Sequence, residues 1–265
     1  MKLLSRRKFV FTCSVSAAAV LSGCFVERHM PWYKAPPKPV PQSDATTVRC
    51  VYAETGIRLT ADPNAEFWKA ALPVFMDKDR YGNPLPDFRT AIATRWTERN
   101  LYVLFVCPYD ELHLHDQPKT GTKTWQLWKW DVAEMFIGWD FDKIQAYKEF
   151  EMSPQGEWLD LDIDLSSPTR GQGPAWSSDF DVDAHIDRDK KIWFGAMKIP
   201  FAAILPAGVN GAKAGDKFRV NFFRGQGPTK KEHLLAWQPP MTDTFHTPEK
   251  FGTMVFLGGN TAHED

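Results

Sequence analysis

WQLWKWDVAEMFIG, residues 125–138, is the stretch whose reading decides the fold. From Trp130 onward the strand period puts Trp130, Val132, Glu134 and Phe136 on one face and Asp131, Ala133, Met135 and Ile137 on the other. Both faces are mostly apolar, the pattern of a strand covered on both sides. Each row nevertheless carries an acid, and a carboxylate in such company loses hydration and needs a cation, a hydrogen-bond donor or a ligand hydroxyl. Extended geometry carried backward would point Trp128 to the side of Glu134. A flat aromatic beside a fixed acceptor suits a sugar, whose apolar ring face covers an indole while its hydroxyls meet the acid. The motif alone favours a plainer account, with Trp128 and Trp130 in the core or rim and Glu134 paired to a buried Arg.

Outward from this strand, short apolar runs alternate with turn signals. Arg89–Trp96 and Leu101–Cys107 flank the hairpin turn Thr97-Glu98-Arg99-Asn100. Strands follow at Tyr147–Met152, Trp158–Leu165, Phe180–Ile186, Ile192–Ile199, Phe218–Phe223, Leu234–Trp237 and Phe251–Phe256. One short helix is expected at Ala65–Ala71, after Asp62-Pro63-Asn64. The pattern predicts an all-β domain over 48–259, an antiparallel sandwich, with a short tail at 260–265.

The N-terminal residues read differently. Ser5-Arg6-Arg7-Lys8-Phe9-Val10 resembles a twin-arginine export signal, followed by a short apolar run to Gly23. That run falls short of the roughly 18–20 residues a membrane span requires. Leu21-Ser22-Gly23-Cys24 resembles a lipobox, so residues 1–23 are expected to leave as a signal peptide and Cys24 to carry acyl chains into a lipid bilayer. Residues 24–47 then form a tether, with five prolines in the eleven residues of PWYKAPPKPVP. The expected location is the bacterial cell envelope. Formal net charge is −1, and with no basic, aromatic-interleaved patch nothing points to nucleic acid. Eleven Trp and 14% aromatic residues point to an aromatic-lined fold or ligand surface.

Of four cysteines, Cys50 and Cys107 fall in the domain. Export permits a disulfide between them, while folding before twin-arginine export, in a reducing cytoplasm, argues against one. The sequence leaves the pairing open. Two aspartate rows, Asp160, Asp162 and Asp164 in one strand and Asp181, Asp183 and Asp187 beside His185 in another, read as solvated faces before they read as Ca²⁺ ligands. His113 and His115 offer two metal ligands without a third. Asp131 and Glu134 lie on opposite faces of their strand, so they do not flank one bond as a glycosidase pair must. Nucleophile-elbow, zinc-protease, Walker and dinucleotide motifs are absent from the sequence, and the chain reads as not an enzyme.

An ordered set of motifs carries a family resemblance. F-W-K-A-A (67–71), W-x4-L-Y-V (96–103), W-x2-D-x2-E-x-F-I (128–137), Y-x2-F-E (147–151), I-P-F (199–201), V-N-F-x-R (220–224) and F-H-x-P-E-x-F-G (245–252) together resemble family 9 carbohydrate-binding modules. The resemblance implies a jelly-roll or DOMON-like sandwich that binds an oligo- or polysaccharide without catalysis. It sets Trp128 as one aromatic of a sugar clamp and Glu134 as the acid that bonds hydroxyls. Phe245 stands where the best-known members carry a second clamp Trp, with Asn221, Arg224 and His246 expected nearby. It also implies a structural Ca²⁺ in many members. Two other readings follow from the same superfamily and from export. One is electron transfer through haem b with Met135, Met197, His113 or His246 as axial ligands. The other is an envelope protein whose aromatic face docks a protein partner.

Overall fold

The computed structural model describes residues 45–209, 211–228 and 231–258. The signal peptide, Cys24, the tether up to residue 44 and the tail at 260–265 lie outside the described residues. The described residues form thirteen strands: β1 (Thr47–Tyr52), β2 (Val74–Met76), β3 (Lys78–Asp79), β4 (Thr90–Trp96), β5 (Asn100–Pro108), β6 (Val132–Gly138), β7 (Ala146–Met152), β8 (Trp158–Asp164), β9 (Asp181–Asp187), β10 (Ile192–Pro200), β11 (Lys217–Gln226), β12 (His233–Ala236) and β13 (Gly252–Leu257). A short α-helix, α1 (Phe201–Ile204), follows β10.

The strands run in one sheet in the order β8-β7-β6-β11-β13-β1-β4-β5-β10-β9, with β12 beside β11, β3 beside β12 and β2 beside β4. Most pairs are antiparallel, as turn-rich sequence requires, but β1 lies parallel to both β13 and β4. The architecture is therefore a nearly closed mixed sheet, which corrects the expectation of a purely antiparallel sandwich. The two halves of the sheet face each other across the main core. Phe105 of β5 meets Phe222 of β11 edge-to-face at 5.9 Å, and the Arg224 guanidinium lies 5.9 Å from the Trp193 ring of β10. Gly195 of β10 makes this approach possible, because a Cβ there would stand 2.7 Å from the Met152 side chain of β7.

Arg95 ties the unusual β1 into place. Its Nε donates to Val51 O at 3.0 Å, one terminal nitrogen to Tyr52 O at 2.8 Å and the other to Phe67 O at 2.5 Å. The same region holds the first departure at local level. Ala65–Ala71 makes a single 3-10 turn, Glu66–Trp68, in place of a helix. Trp68 is buried and its Nε1 donates to Thr60 O at 3.2 Å, while Pro73 disfavours helix at the residue before it.

Cys50 and Cys107 are free and buried, and burial pushes both thiols up to about 12. Neither is a reactive thiolate at neutral pH.

Gly252 opens β13 under the Trp237 ring, where an added Cβ would lie 2.5 Å from both that ring and Thr46 O. Gly252→Ala must displace one of them, so we expect a loss of about 1–3 kcal/mol, read as a lower urea midpoint at unchanged slope. A midpoint equal to that of the wild type would show that this corner is loosely packed.

Candidate functional site

The face of β8, β7, β6 and β11 that points away from the main core carries a row of cross-strand neighbours. In register these are Leu159, Glu151, Glu134, Phe223 and, on β12, Ala236. The next row is Leu161, Glu149, Phe136 and Asn221. Strand pairing thus sets Glu134 opposite Glu151, with Glu149 two residues along, and all three are buried. Adjacent strands are about 4.8 Å apart, so the carboxyls repel one another where water cannot screen them.

Their acidities follow from this placement. Burial holds Glu134 well above the usual carboxylate range, and the charges of Glu149 and Glu232 raise it further. Burial raises Glu151 as well, with Glu134 and Glu149 adding to it and the Trp128 amide opposing weakly. Burial pushes Glu149 to about 7 against the opposing pull of Glu151 and Arg170. Among the described residues, both Glu151 oxygens and Glu149 Oε2 lack a partner in hydrogen-bonding geometry. A cluster that keeps protons near neutrality can donate as well as accept, which is the requirement for holding hydroxyl groups.

Aromatic side chains stand at both ends of this row. Gln126 adopts φ 62°, turns the chain out of the strand direction and launches the 3-10 turn Leu127–Lys129. Trp128 therefore projects from a turn, 39% exposed, and meets the 53% exposed Trp125 edge-to-face at 5.2 Å. Its amide faces Glu151, which puts the turn over the β7 end of the row. At the β11 end, Phe245 stacks on Phe223 at 4.2 Å with 13° between planes. Glu134 lies between them in register. Next to Phe245, His246 stacks on Phe136 at 5.3 Å, and burial lowers its pKa to about 4. The neutral ring shares a hydrogen bond between Nδ1 and Tyr147 Oη, 2.6 Å long.

Of the residues singled out from sequence, Trp128, Glu134, Asn221, Phe245 and His246 therefore belong to one face. Asn221 is already committed there. Its Nδ2 donates to Gln238 O at 2.8 Å, and its Oδ1 accepts from Phe222 N and Gln238 N at 2.9 and 3.0 Å. Arg224 requires a correction, because it lies on the opposite face of β11, fully buried, with a terminal nitrogen donating to Thr90 Oγ1 at 3.0 Å. Glu149, Glu151, Trp125 and Arg170 were not singled out. The alternation of Tyr147, Glu149 and Glu151 along β7 was a readable signal for the first two.

The aspartate rows do not gather into an oxygen cage. Asp160 pairs with Lys123 at 2.5 Å, Asp162 with Lys148, Asp181 with Lys198 at 2.9 Å and Asp187 with Lys190 at 2.8 Å, while Asp183 accepts from the Ala61 amide at 2.8 Å. Asp160 is buried, so the solvated face that alternation implies fails at that position, while Asp162 and Asp164 of the same row are part-exposed. Among the described residues, no group of three His, Cys, Asp or Glu is placed to hold a metal ion. His113 and His115 separate in role: the His113 backbone meets Asp131, and His115 Nδ1 lies 2.9 Å from Glu157. Met135 and Met197 are buried in the main core, on the other side of β6 from His246.

The acid cluster has a measurable consequence. A carboxyl whose pKa is raised on folding favours the native state below its unfolded pKa and loses that contribution as pH rises through the folded value. For Glu149 the window runs from about 4.5 to about 7. Glu149→Gln should therefore gain on the wild type as pH rises, with a difference in Tm that is more positive at pH 8 than at pH 5. A pH-independent difference would show that Glu149 titrates as an exposed acid.

Comparison with known proteins adds to this geometry. A family model described as carbohydrate family 9 binding domain-like matches residues 64–259. An Arthroderma benhamiae protein named "Extracellular protein" is 25% identical over 186 residues, covering 66% of this chain and 80% of its own. A solved Bacteroides uniformis protein, to which carbohydrate binding is attributed by inference, superposes with a TM-score of 0.64 at 16% identity, over 79% of this chain and 98% of that one. A family 9 carbohydrate-binding module from Caldicellulosiruptor kristjanssonii, solved with cellotriose, gives 0.56 at 12% identity over 83% of this chain and 98% of its own. A family 9 carbohydrate-binding module from the same organism, solved with glucose, gives 0.56 at 12% identity over 82% of this chain and 100% of its own. The match over residues 64–259 places this chain in the carbohydrate family 9 binding domain-like family, whose modules bind carbohydrate and are non-catalytic.

Proposed function

We propose that the domain holds an oligo- or polysaccharide, without altering it, over the Glu134 row, with a sugar ring between Trp128 and Phe245. The observation that carries this reading is the placement of exposed or half-exposed aromatics at both ends of a buried acid row. The rings cover the apolar faces of a pyranose, and Glu134, Glu149 and Glu151 exchange hydrogen bonds with its hydroxyls. Membership in a carbohydrate-binding family, and fold neighbours solved with cellotriose and glucose, support the ligand class. Contacts to one or two sugar rings give a Kd in the micromolar to millimolar range, as order of magnitude.

The proposed setting is the outside of the cell membrane, with Cys24 acylated and the proline-rich residues up to 44 as spacer. It rests on the sequence of residues outside the described part and on the extracellular name of one relative. Titration of neutral gluco- and xylo-oligosaccharides against intrinsic tryptophan fluorescence tests the function. Saturable quenching or enhancement supports it, and no response to any neutral glycan in such a panel rejects it.

A further inference from the structure

A second cleft, of about 480 Å³, lies on the opposite face of β6, β7 and β8, against the chain that leaves α1. It is lined by Trp139 and Trp176, by Lys148, Asp162 and Gln172, and by the small and apolar residues of 202–207. Lys148 and Asp162 reach it from the strand face opposite the acid row, alternating with Glu149, Leu161 and Ile163, and Tyr147 of the acid-row face lines it as well. Its volume comes from short side chains. Gly138 and Ala146 form part of one wall, and Ala202, Ala203 and Ala207 part of the other.

We propose that this cleft is a second saccharide site, selective for neutral sugars with vicinal hydroxyls. Lys148 and Asp162 form an ion pair on its floor, with side chains 23% and 17% exposed. The pair has no net charge, so it offers no reason for an anion or a cation to enter. It does set ammonium donors beside a carboxylate acceptor, and two adjacent hydroxyls, each able to give and take a hydrogen bond, match that arrangement. Trp176 supplies an apolar platform that is already fixed. Lys123 Nζ donates to its carbonyl at 2.6 Å, Lys148 Nζ lies 4.7 Å from its ring centroid, and Phe150 meets it edge-to-face at 6.1 Å. Trp139 is 42% exposed and free to cover the outer face of a ring. A module with saccharide sites on two faces would hold two chains, or two segments of one, and gain avidity toward a polysaccharide over its fragments.

The test separates this cleft from the first site. Trp128→Ala, Trp139→Ala and the double variant are applied to a microarray of neutral and acidic plant, fungal and bacterial glycans, with melting curves to confirm folding. The proposal expects Trp128→Ala to retain binding to some neutral glycans, and the added Trp139→Ala to weaken that residue at least tenfold. Lys148→Met should repeat the loss in the Trp128→Ala background. If Trp128→Ala alone removes all binding, or if its residual binding is unchanged by Trp139→Ala and Lys148→Met, the second site is overturned. Wild-type binding that survives Trp128→Ala at full strength but falls with Trp139→Ala would keep the second site and remove the first. Residual binding confined to acidic glycans would also overturn it.

Discussion

Trp128→Ala is expected to weaken saccharide binding roughly 30-fold or more while leaving the melting temperature within about 2 °C of the wild type. The two halves of this expectation have separate causes. Trp128 stands on a 3-10 turn outside the sheet, and its recorded ring contact is with Trp125, itself exposed. The indole keeps 39% of its surface exposed and lies off the sheet, so its removal is expected to cost the fold little. A sugar ring stacked on it would lose one of its two apolar covers, and aromatic anchors at the centre of an interface contribute 2 kcal/mol or more. Trp128→Phe should recover part of the affinity, because a smaller ring still stacks. Phe245→Ala differs, since Phe245 also packs on Phe223, and both affinity and stability should fall. Isothermal titration calorimetry beside thermal melts reads both quantities, and an unchanged Kd for Trp128→Ala would remove this side chain from the site.

The largest loss of stability is expected at Arg224, with no change in the affinity of the folded fraction. The guanidinium is fully buried, donates to Thr90 Oγ1 and lies over Trp193. Burial pushes the Asp131 carboxyl up to about 6, and Arg224 is the main influence holding it down. Asp131 in turn accepts hydrogen bonds from the Gly227 amide at 2.7 Å and the His113 amide at 3.2 Å, so it pins two loops to β6. Arg224→Leu takes away the charge that opposes the burial of that acid, together with the bond to Thr90 Oγ1, and losses at a buried charged group are about 3 kcal/mol. Without Arg224 the Asp131 pKa rises further. A raised carboxyl loses stability with increasing pH, so the deficit should be larger at pH 8 than at pH 5. Urea unfolding at both pH values measures this. An equal deficit at the two pH values, or weaker sugar binding by the folded protein, would contradict the assignment.

These two residues also show how far the sequence could be read. Period-two alternation located the strands and both faces of β6, because burial on each side forces the pattern that the chain displays. It also contained the correction at β11. Asn221 and Arg224 are three residues apart, so a regular strand sends them to opposite sides, and the V-N-F-x-R motif could not place both on a sugar. Parallel pairing of β1 was not legible. Its partner β13 lies some two hundred residues away, and pairing at that separation has no turn chemistry to announce it. The turn at Trp128 was missed for a related reason. Gln126 takes a left-handed conformation that Gly or Asn would have signalled, and glutamine does not. The acid cluster needed three dimensions, since Glu134 and Glu151 are neighbours through strand pairing alone.

The most direct test of the central claim is a titration of isotope-labelled protein with the saccharide of highest affinity, followed by the indole and backbone amide resonances. The account predicts that the Trp128 indole N–H and the amides of Glu134, Glu151 and Phe223 shift together along one saturating curve. If those signals stay fixed while the saccharide saturates resonances elsewhere in the domain, the acid row between Trp128 and Phe245 is not where the sugar binds.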